Sequence, residues 1–426
     1  MPAEAAIMHF DLRYGDGTVP LDVDDRRAPH VIHLNALPVL KNPLEEARRV
    51  LASPTGHAPL AEDLRSEKPE KIVVVINDET RPTPYEVFFP ALLEAFSAAG
   101  VRDDQVTFLI ATGTHRLQSD ELNRRLYGSG MIDRFRFVCH VCTDDSSLVS
   151  LGMLPSEFVL NRLAVEADYL ITLGVVSPHY FAGYSGGRKS ILPGICGKKT
   201  VQDNHARMVE ILDHMPPIRE NPISLEMIEA ARKVGVNFVF NAVMNADNQV
   251  VRLVAGDLVE AWYEAVDTSS SMYEIPFTEP VDIAVSSACG YPRDVNWYQA
   301  QKAIDHADKI VKPGGTIIVC GECRDGYGNK VFEEWMKKKL PPEEVMREIR
   351  AHFVLGGHKA FAFAKVASEK KLVLVSSMNA EDTATLYGTK AASVQEAFDQ
   401  AVAACPDASI AIMPEGGLTL PVHMNA

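Results

Sequence analysis

Long apolar runs are missing from this 426-residue chain. None approaches the roughly 20 residues needed to cross a bilayer as a helix, which excludes a helical membrane protein. Cations are in short supply too. Lys and Arg number 42 against 57 Asp and Glu, a formal net charge of −15. Such a balance repels polyanions, so neither nucleic acid nor a membrane surface is an expected partner, while a local basic pocket for a small anion stays open. The opening "MPAEAAIMHF" has no basic stretch ahead of a long apolar one. No signal peptide is expected, and the expected location is the cytoplasm. Internal repeats and low-complexity tracts are absent as well.

Cysteine is sparse, with seven in all, but four of them fall in two Cys-x-x-Cys pairs, "CHVC" (Cys139, Cys142) and "CGEC" (Cys320, Cys323). Together these have the ligand count of a zinc site, which needs each pair in a tight knuckle. The flanking "RFRFVCHVC" and "GTIIVCGEC" read instead as buried strands running into turns. Small buried thiols are the preferred reading.

What the chain does have is a succession of short β-rich runs bounded by Gly, Pro and Asp: "KIVVVIND", "QVTFLIATG", "DYLITLGVV", "NFVFNAVMN", "VDIAVSSACG", "GTIIVCGEC", "KLVLVSS" and "SIAIMPEG". Helical patterns such as "YEVFFPALLEAFSAAG" separate many of them. That alternation predicts an α/β protein whose mostly parallel sheets are flanked by helices. The length calls for more than one domain. The polar "SSSMYEIPFTEP" sets the expected boundary near residue 276. Residues 1–276 are expected to form an N-terminal domain, joined by 407–426, and residues 277–406 a C-terminal domain, with the active site in the cleft between them. "IMHFDLRYGDGTVPLDV" reads as a hairpin turning at Gly-Asp-Gly.

In open parallel sheets ligands bind beyond the carboxyl ends of the strands. Asn77, Asp78 and Arg81 follow "VVVI" in "NDETRPTP"; His115 and Arg116 follow "TFLIATGT"; Pro178 and His179 follow "LITLGVV", with Lys189 ten residues later. Singly, each residue has an ordinary structural explanation, as a cap, an ion-pair partner or a hydrogen-bonded histidine. Two histidines, an Asp, an Arg and a Lys at adjacent strand ends are harder to explain by capping alone. "GYSGGRKS" has the look of a P-loop, but Arg188 stands where a Walker A sequence needs the glycine before its lysine. Gly183, Gly186 and Gly187 still allow backbone amides to approach an anion, with Lys189 projecting into the same crevice. Such a lysine can pair with phosphate or, partly desolvated, attack a carbonyl or thioacid. Downstream, His205 in "DNHARM" is a candidate single metal ligand. In "GYPRDVNWYQAQKA", Tyr298, Gln299 and Lys302 share one face at a helix N-terminus, a setting suited to a small carboxylate.

Taken together, "NDETRPTP", "ATGTHR", "SPHYFAGYSGGRKSILPG", "DNHARM" and "GYPRDVNWYQAQKA" closely resemble the nickel-pincer lactate racemase family of 2-hydroxyacid racemases and epimerases, in order and over most of the chain. The resemblance implies a reversible hydride transfer to a covalently held nickel cofactor, a pyridinium-3,5-bisthiocarboxylate mononucleotide. Lys189 then corresponds to the lysine that carries it through a thioamide, and His205 to the nickel ligand. His115 and His179 correspond to the paired acid–base histidines. Arg81, Gln299 and Lys302 correspond to the groups that hold the substrate carboxylate and cofactor, with Asp78 and Tyr298 around them and Gly186 and Gly187 in the cofactor loop. The implied partners are a small 2-hydroxyacid and, transiently, the enzymes that build the cofactor. The α-proton of such an acid is too weakly acidic for an ordinary side-chain base, which makes hydride removal and return the easier route.

Two features depart from that pattern. Lactate-acting members carry an aromatic residue in the region of "VLGGHKAFAF", where His358 or Phe361 stands here, and Arg188 adds a charge beside the lysine. A substrate larger or more acidic than lactate is therefore open. The competing readings are a metal-independent α/β enzyme and a binding protein, in either case for a small carboxylate or phosphorylated sugar acid.

Overall fold

The computed structural model describes residues 6–211 and 215–423. Two compact units emerge, residues 37–270 and, from both ends of the chain, residues 1–36 with 271–426. Each is an α/β unit built on a six-stranded sheet.

In the 37–270 unit the strands run in the order Val250–Gly256, Val236–Met244, Tyr169–Val175, Ile72–Asn77, Val106–Ala111, Arg136–Cys139. Every neighbouring pair is parallel except the first, in which Val250–Gly256 lies antiparallel to Val236–Met244. The buried run "IVVVIN" shows why these segments are strands: β-branched side chains suit the pleat, and burial on both faces leaves no polar alternation. Alternate residues Ile72, Val74 and Ile76 point into one core with Phe88, Phe108, Phe238 and Phe240, below the helices Pro43–Ala52, Leu60–Glu67 and Tyr85–Ala99. From the strand at 72–77 the chain moves outward to 106–111 and 136–139, then returns to place 169–175 on the other side. The sheet's topological switch thus falls between Ile72–Asn77 and Tyr169–Val175. Crevices that take ligands open at the carboxyl ends of such a strand pair.

The second unit has the strand order Gly388–Lys390, Lys371–Val375, Val311–Cys320, Val281–Ser287, Ile410–Met413, His30–Val31, all parallel. The expected hairpin forms from Ile7–Tyr14 and Gly17–Asp24.

The domain expectation needs correcting at three points. Residues 1–36 belong with the C-terminal unit, because His30–Val31 adds an edge strand beside Ile410–Met413 and because Leu12, Leu21 and Val23 bury into a core with Ile283, Val285 and Ile412. The closing stretch expected at 407–426 joins the same unit: Ile410–Met413 pairs with Val281–Ser287, and Leu420–His423 with Glu274–Phe277. Its last three residues lie outside the described ones. The boundary itself falls after residue 270, inside the helix Glu260–Tyr273, rather than at 276. Cys139 and Cys320 close strands as expected, and Cys320 and Cys323 are buried thiols, but Arg136–Cys139 is a half-exposed edge strand and Cys139 and Cys142 are only partly buried.

Candidate active site

Asp78 stands just beyond the strand Ile72–Asn77, 6 % exposed. Its carboxylate accepts from His115 Nδ1 at 2.6 Å through one oxygen, and from the Thr80 hydroxyl at 2.6 Å and amide at 3.2 Å through the other. Burial pushes its pKa up, but the His115 and Thr80 hydrogen bonds outweigh that and leave it below the ordinary carboxylate value. Buried yet charged, Asp78 is set to orient the imidazole beside it. His115 comes from the loop after Val106–Ala111, its amide bonded to the Thr112 carbonyl at 2.9 Å. Half of its side chain is exposed, beside a cavity of about 310 Å3 that Thr114, Thr143 and Lys198 also line.

A layer of polar residues holds these two strand ends together. Gln118 accepts from the Glu79 amide at 2.7 Å and donates to Asn123 at 2.7 Å and the Tyr127 hydroxyl at 3.2 Å. Tyr127 and Tyr85 both donate to the Asn77 carbonyl, at 2.9 and 2.8 Å. Sequence reasoning missed Gln118; its only signal was a position three residues beyond His115. Arg81 turns its guanidinium to the Thr80 carbonyl at 3.1 Å, near the surface.

Across the switch, the stretch after Tyr169–Val175 carries His179 and Lys189. Pro178–His179 pairs with Gly183–Tyr184 in a short antiparallel turn, and the Ala182 amide donates to His179 Nδ1 at 3.4 Å. Of the glycines expected to open backbone amides to an anion, Gly187 has its amide committed within the protein. The Gly187 amide donates to Asn241 Oδ1 at 3.0 Å. A Cβ on Gly186 would sit 2.5 Å from Val176 Cγ2, and one on Gly187 2.8 Å from Trp262 Cδ1. Both glycines have positive φ, 72° and 48°, and both serve close packing.

Arg188, left without a role by its sequence, is the anchor of this loop. Wholly buried, it donates to the Tyr184 carbonyl at 2.9 Å, the Ala182 carbonyl at 2.8 Å and the Ser224 hydroxyl at 2.9 Å, and its guanidinium lies 3.7 Å from the Trp262 ring centre. Burial pushes its pKa down to about 9, so it stays charged at neutral pH. Trp262 in turn donates to the Ser185 carbonyl at 2.9 Å.

One aromatic ring ties the remaining candidates together. Phe181 meets His179 edge-on at 4.6 Å between ring centres and His205 at 4.7 Å, with the Lys189 ammonium 5.4 Å from its own centre. Sequence reasoning passed over it as one apolar residue in a loop. His205 lies on the helix Lys198–Ala206, 8 % exposed, with no hydrogen-bond partner on Nδ1. Burial, then the charge of Lys189, push its pKa down to about 3, with the Val201 carbonyl one turn back opposing. A neutral, buried imidazole with an uncommitted nitrogen is the form that ligates a metal. Among the described residues no cluster of three or more His, Cys, Asp and Glu is arranged around a metal. At such a site His205 offers a metal one nitrogen donor, with the Lys189 ammonium against the same Phe181 ring.

In the second unit, Asn296 caps the helix Trp297–Asp308 by accepting from the Gln299 amide at 3.1 Å, which leaves Gln299 and Lys302 half-buried on its first turns. Tyr298, whose pKa burial pushes up to about 12, has its hydroxyl 3.5 Å from His358 Nε2. Phe361 is completely buried, beneath Arg350. Of the two candidates for the aromatic position, His358 is the one beside the phenol. Lys359 is also buried and donates to Gln301 at 2.7 Å.

Residues 14–214 match the model of the lactate racemase N-terminal domain and residues 277–420 that of the lactate racemase C-terminal domain. The chain is 31 % identical over 420 residues to a lactate racemase of Thermoanaerobacterium thermosaccharolyticum, covering 96 % of this chain and 98 % of that one. To a lactate racemase of Lactiplantibacillus plantarum it is 33 % identical over 423 residues, with the same coverage. The solved lactate racemase apoprotein from T. thermosaccharolyticum superposes with a TM-score of 0.89 at 30 % identity, covering 97 % of this chain and all of that one. A Thermotoga maritima protein shares the fold at a TM-score of 0.68 and 20 % identity, over 92 % of this chain and all of that one.

Proposed function

The chain belongs to the lactate racemase family and is a racemase; from that premise we propose that it interconverts the enantiomers or epimers of a 2-hydroxyacid with the aid of a nickel-bearing pyridinium mononucleotide. The observation that carries this reading is the single Phe181 ring against which His179, His205 and Lys189 all rest. A lysine to tether the nucleotide, a neutral imidazole for its metal and one of the two acid–base histidines are three of the groups such a reaction asks of the protein.

In this reading Lys189 holds the pyridinium-3,5-bisthiocarboxylate mononucleotide through a thioamide, and His205 supplies the protein's ligand to nickel. When bound, that group supplies a pyridinium carbon able to accept hydride and give it back. The protein's own residues do the rest. In the 37–270 unit Arg81 pairs with the substrate carboxylate; in the other unit Gln299, Lys302 and Tyr298, at a helix N-terminus, keep an anion-holding role. His115 takes the hydroxyl proton of one enantiomer as the α-hydrogen departs, and His179 serves the other. Each turnover needs both half reactions, one on each face. The 2-hydroxyacid is the small-molecule partner, and the enzymes that make and load the cofactor are transient ones.

The test uses protein made together with the cofactor-building enzymes and offered lactate, malate, aryl-lactates and aldonic acids, with chirality followed over time. Interconversion of at least one acid is expected. In single turnovers, His115→Ala and His179→Ala should each abolish racemisation while keeping a stoichiometric burst of ketoacid, from opposite enantiomers. Loss of the same enantiomer's burst in both variants sinks the two-histidine assignment, and unchanged chirality with every acid sinks the reading as a whole.

A further inference from the structure

The two histidines are held by unlike partners. His115 Nδ1 faces a buried carboxylate at 2.6 Å, whereas His179 Nδ1 faces a backbone amide at 3.4 Å. An ionised carboxylate only accepts, so neutral His115 must carry its proton on Nδ1 and leave the Nε2 lone pair free for a proton. A backbone N–H only donates, so neutral His179 must carry its proton on Nε2 and present a donor instead. We propose that Asp78 is a positioning residue that makes His115 the resting base, and that the Ala182 amide keeps His179 in the opposite tautomer, so the resting protein presents one base and one donor.

The surroundings hold each arrangement in place. Asp78 cannot turn away cheaply: its second oxygen is taken by the Thr80 hydroxyl and amide, and the next residue's amide is bonded to Gln118. The Gln118 side chain belongs to the loop that carries His115, so the carboxylate and the imidazole are tied through one amide side chain as well as to each other. His179 sits in the tight turn formed by Pro178–His179 against Gly183–Tyr184, its ring at 90° to Phe181. Orientation by a carboxylate is what keeps a catalytic imidazole in the useful tautomer elsewhere. Here Asp78 gives it to His115, while His179 Nδ1 faces the Ala182 amide.

The catalytic consequence rests on the proposed racemase reading. The enantiomer whose hydroxyl meets His115 can lose its proton at once to Nε2. The other enantiomer meets an N–H, and its proton has no acceptor until His179 gives up the Nε2 proton or exchanges tautomers. Equilibrium between enantiomers is untouched; the first-turnover rates are not. Without Asp78 the faster half reaction should slow on the order of 10²-fold, within the range for loss of a general base, while the slower one changes less.

The tautomers can be read without any cofactor. Long-range 1H–15N correlation on labelled apoprotein, with peaks assigned through His115→Gln and His179→Gln, should show the proton on Nδ1 for His115 and on Nε2 for His179. The same tautomer at both, or Nε2–H at His115, overturns the proposal. In Asp78→Ala, checked for folding by circular dichroism, His115 should move to Nε2–H; a folded variant with the tautomer unchanged removes Asp78 from the role. Should that variant not fold, the wild-type spectrum alone decides. An inactive loaded protein with the two tautomers as stated would defeat the racemase reading and leave this assignment standing.

Discussion

Exchanging Arg188 for lysine keeps the charge, yet it should cost more than exchanging it for methionine. The guanidinium reaches three acceptors at once, the Tyr184 and Ala182 carbonyls and the Ser224 hydroxyl, and lies over Trp262. Lysine brings a single compact ammonium to a pocket with no exposed surface, and it cannot fork to all three. The variant must then bury a poorly paired cation or shed its proton. Removing a partner from a buried charged network typically costs about 3–5 kcal/mol. Deprotonation from an ordinary 10.4 to pH 7 sets a similar bound, about 4.6 kcal/mol at about 1.36 kcal/mol per unit. Methionine leaves the Tyr184 carbonyl short of its partner, at about 1–3 kcal/mol, but it also abolishes the cost of burying a charge, and the Ala182 carbonyl keeps its bond from the Tyr184 amide. Urea denaturation at pH 7 should therefore rank wild type above Arg188→Met and Arg188→Met above Arg188→Lys, with the lysine variant at least about 2 kcal/mol below wild type. A lysine variant within about 1 kcal/mol of wild type, or a methionine variant that is the worse of the two, would show that the fork is not what the loop needs.

In Lys189→Ala made with the cofactor-building enzymes, the intact mass should lack the nucleotide adduct while circular dichroism stays native; a retained adduct would place the attachment elsewhere. His205→Ala should keep the adduct and lose nickel by about tenfold or more, read by elemental analysis, and unchanged nickel would name another ligand. Acid should destabilise the 37–270 unit through His140, whose pKa burial pushes down to about 4 against the Cys196 carbonyl's opposing pull. Above pH 6.5 folded and unfolded forms are both neutral there. As pH falls the unfolded chain takes the proton first, so stability drops between about 6.5 and about 4, by about 2 kcal/mol at pH 5. His140→Gln should flatten that part of the denaturation profile, and an identical slope would refute the assignment.

How far the sequence could be read follows from where the information lies. Parallel strands buried on both faces appear as continuous apolar runs, so Ile72–Asn77, Val106–Ala111 and Tyr169–Val175 were visible, and with them the strand ends bearing Asp78, His115 and His179. The antiparallel edge Val250–Gly256 and the hairpin of Leu148–Met153 with Glu157–Asn161 were not anticipated. Nor was the allegiance of the chain ends, because the two-residue strand His30–Val31 has no local pattern and is defined only by its partner at Ala411 and Ile412. Gln118 and Trp262 escaped notice for a related reason. Their roles are hydrogen bonds to residues distant in sequence, Glu79 in one case and Ser185 in the other.

The loop from 177 to 190 divides its residues between two tasks. Ser185, Gly187 and Arg188 face inward and are bonded to Val175, Asn241 and Ser224, while His179 and Lys189 come to rest against Phe181. A flexible loop could carry the same histidine and lysine, but it would not hold them within the fraction of an ångström that the proposed proton transfer and covalent capture require. The inward residues supply that precision. This accounts for an arginine beside the lysine without giving it any contact with substrate, and it separates two kinds of damage. Loss of Arg188 should blur the placement of Lys189 and His179 together, lowering stability and adduct formation in step, whereas loss of Lys189 should remove the adduct and leave stability alone. A variant at Arg188 that binds the nucleotide poorly yet unfolds like wild type would contradict this division, because it would give the arginine a direct part in holding the ligand.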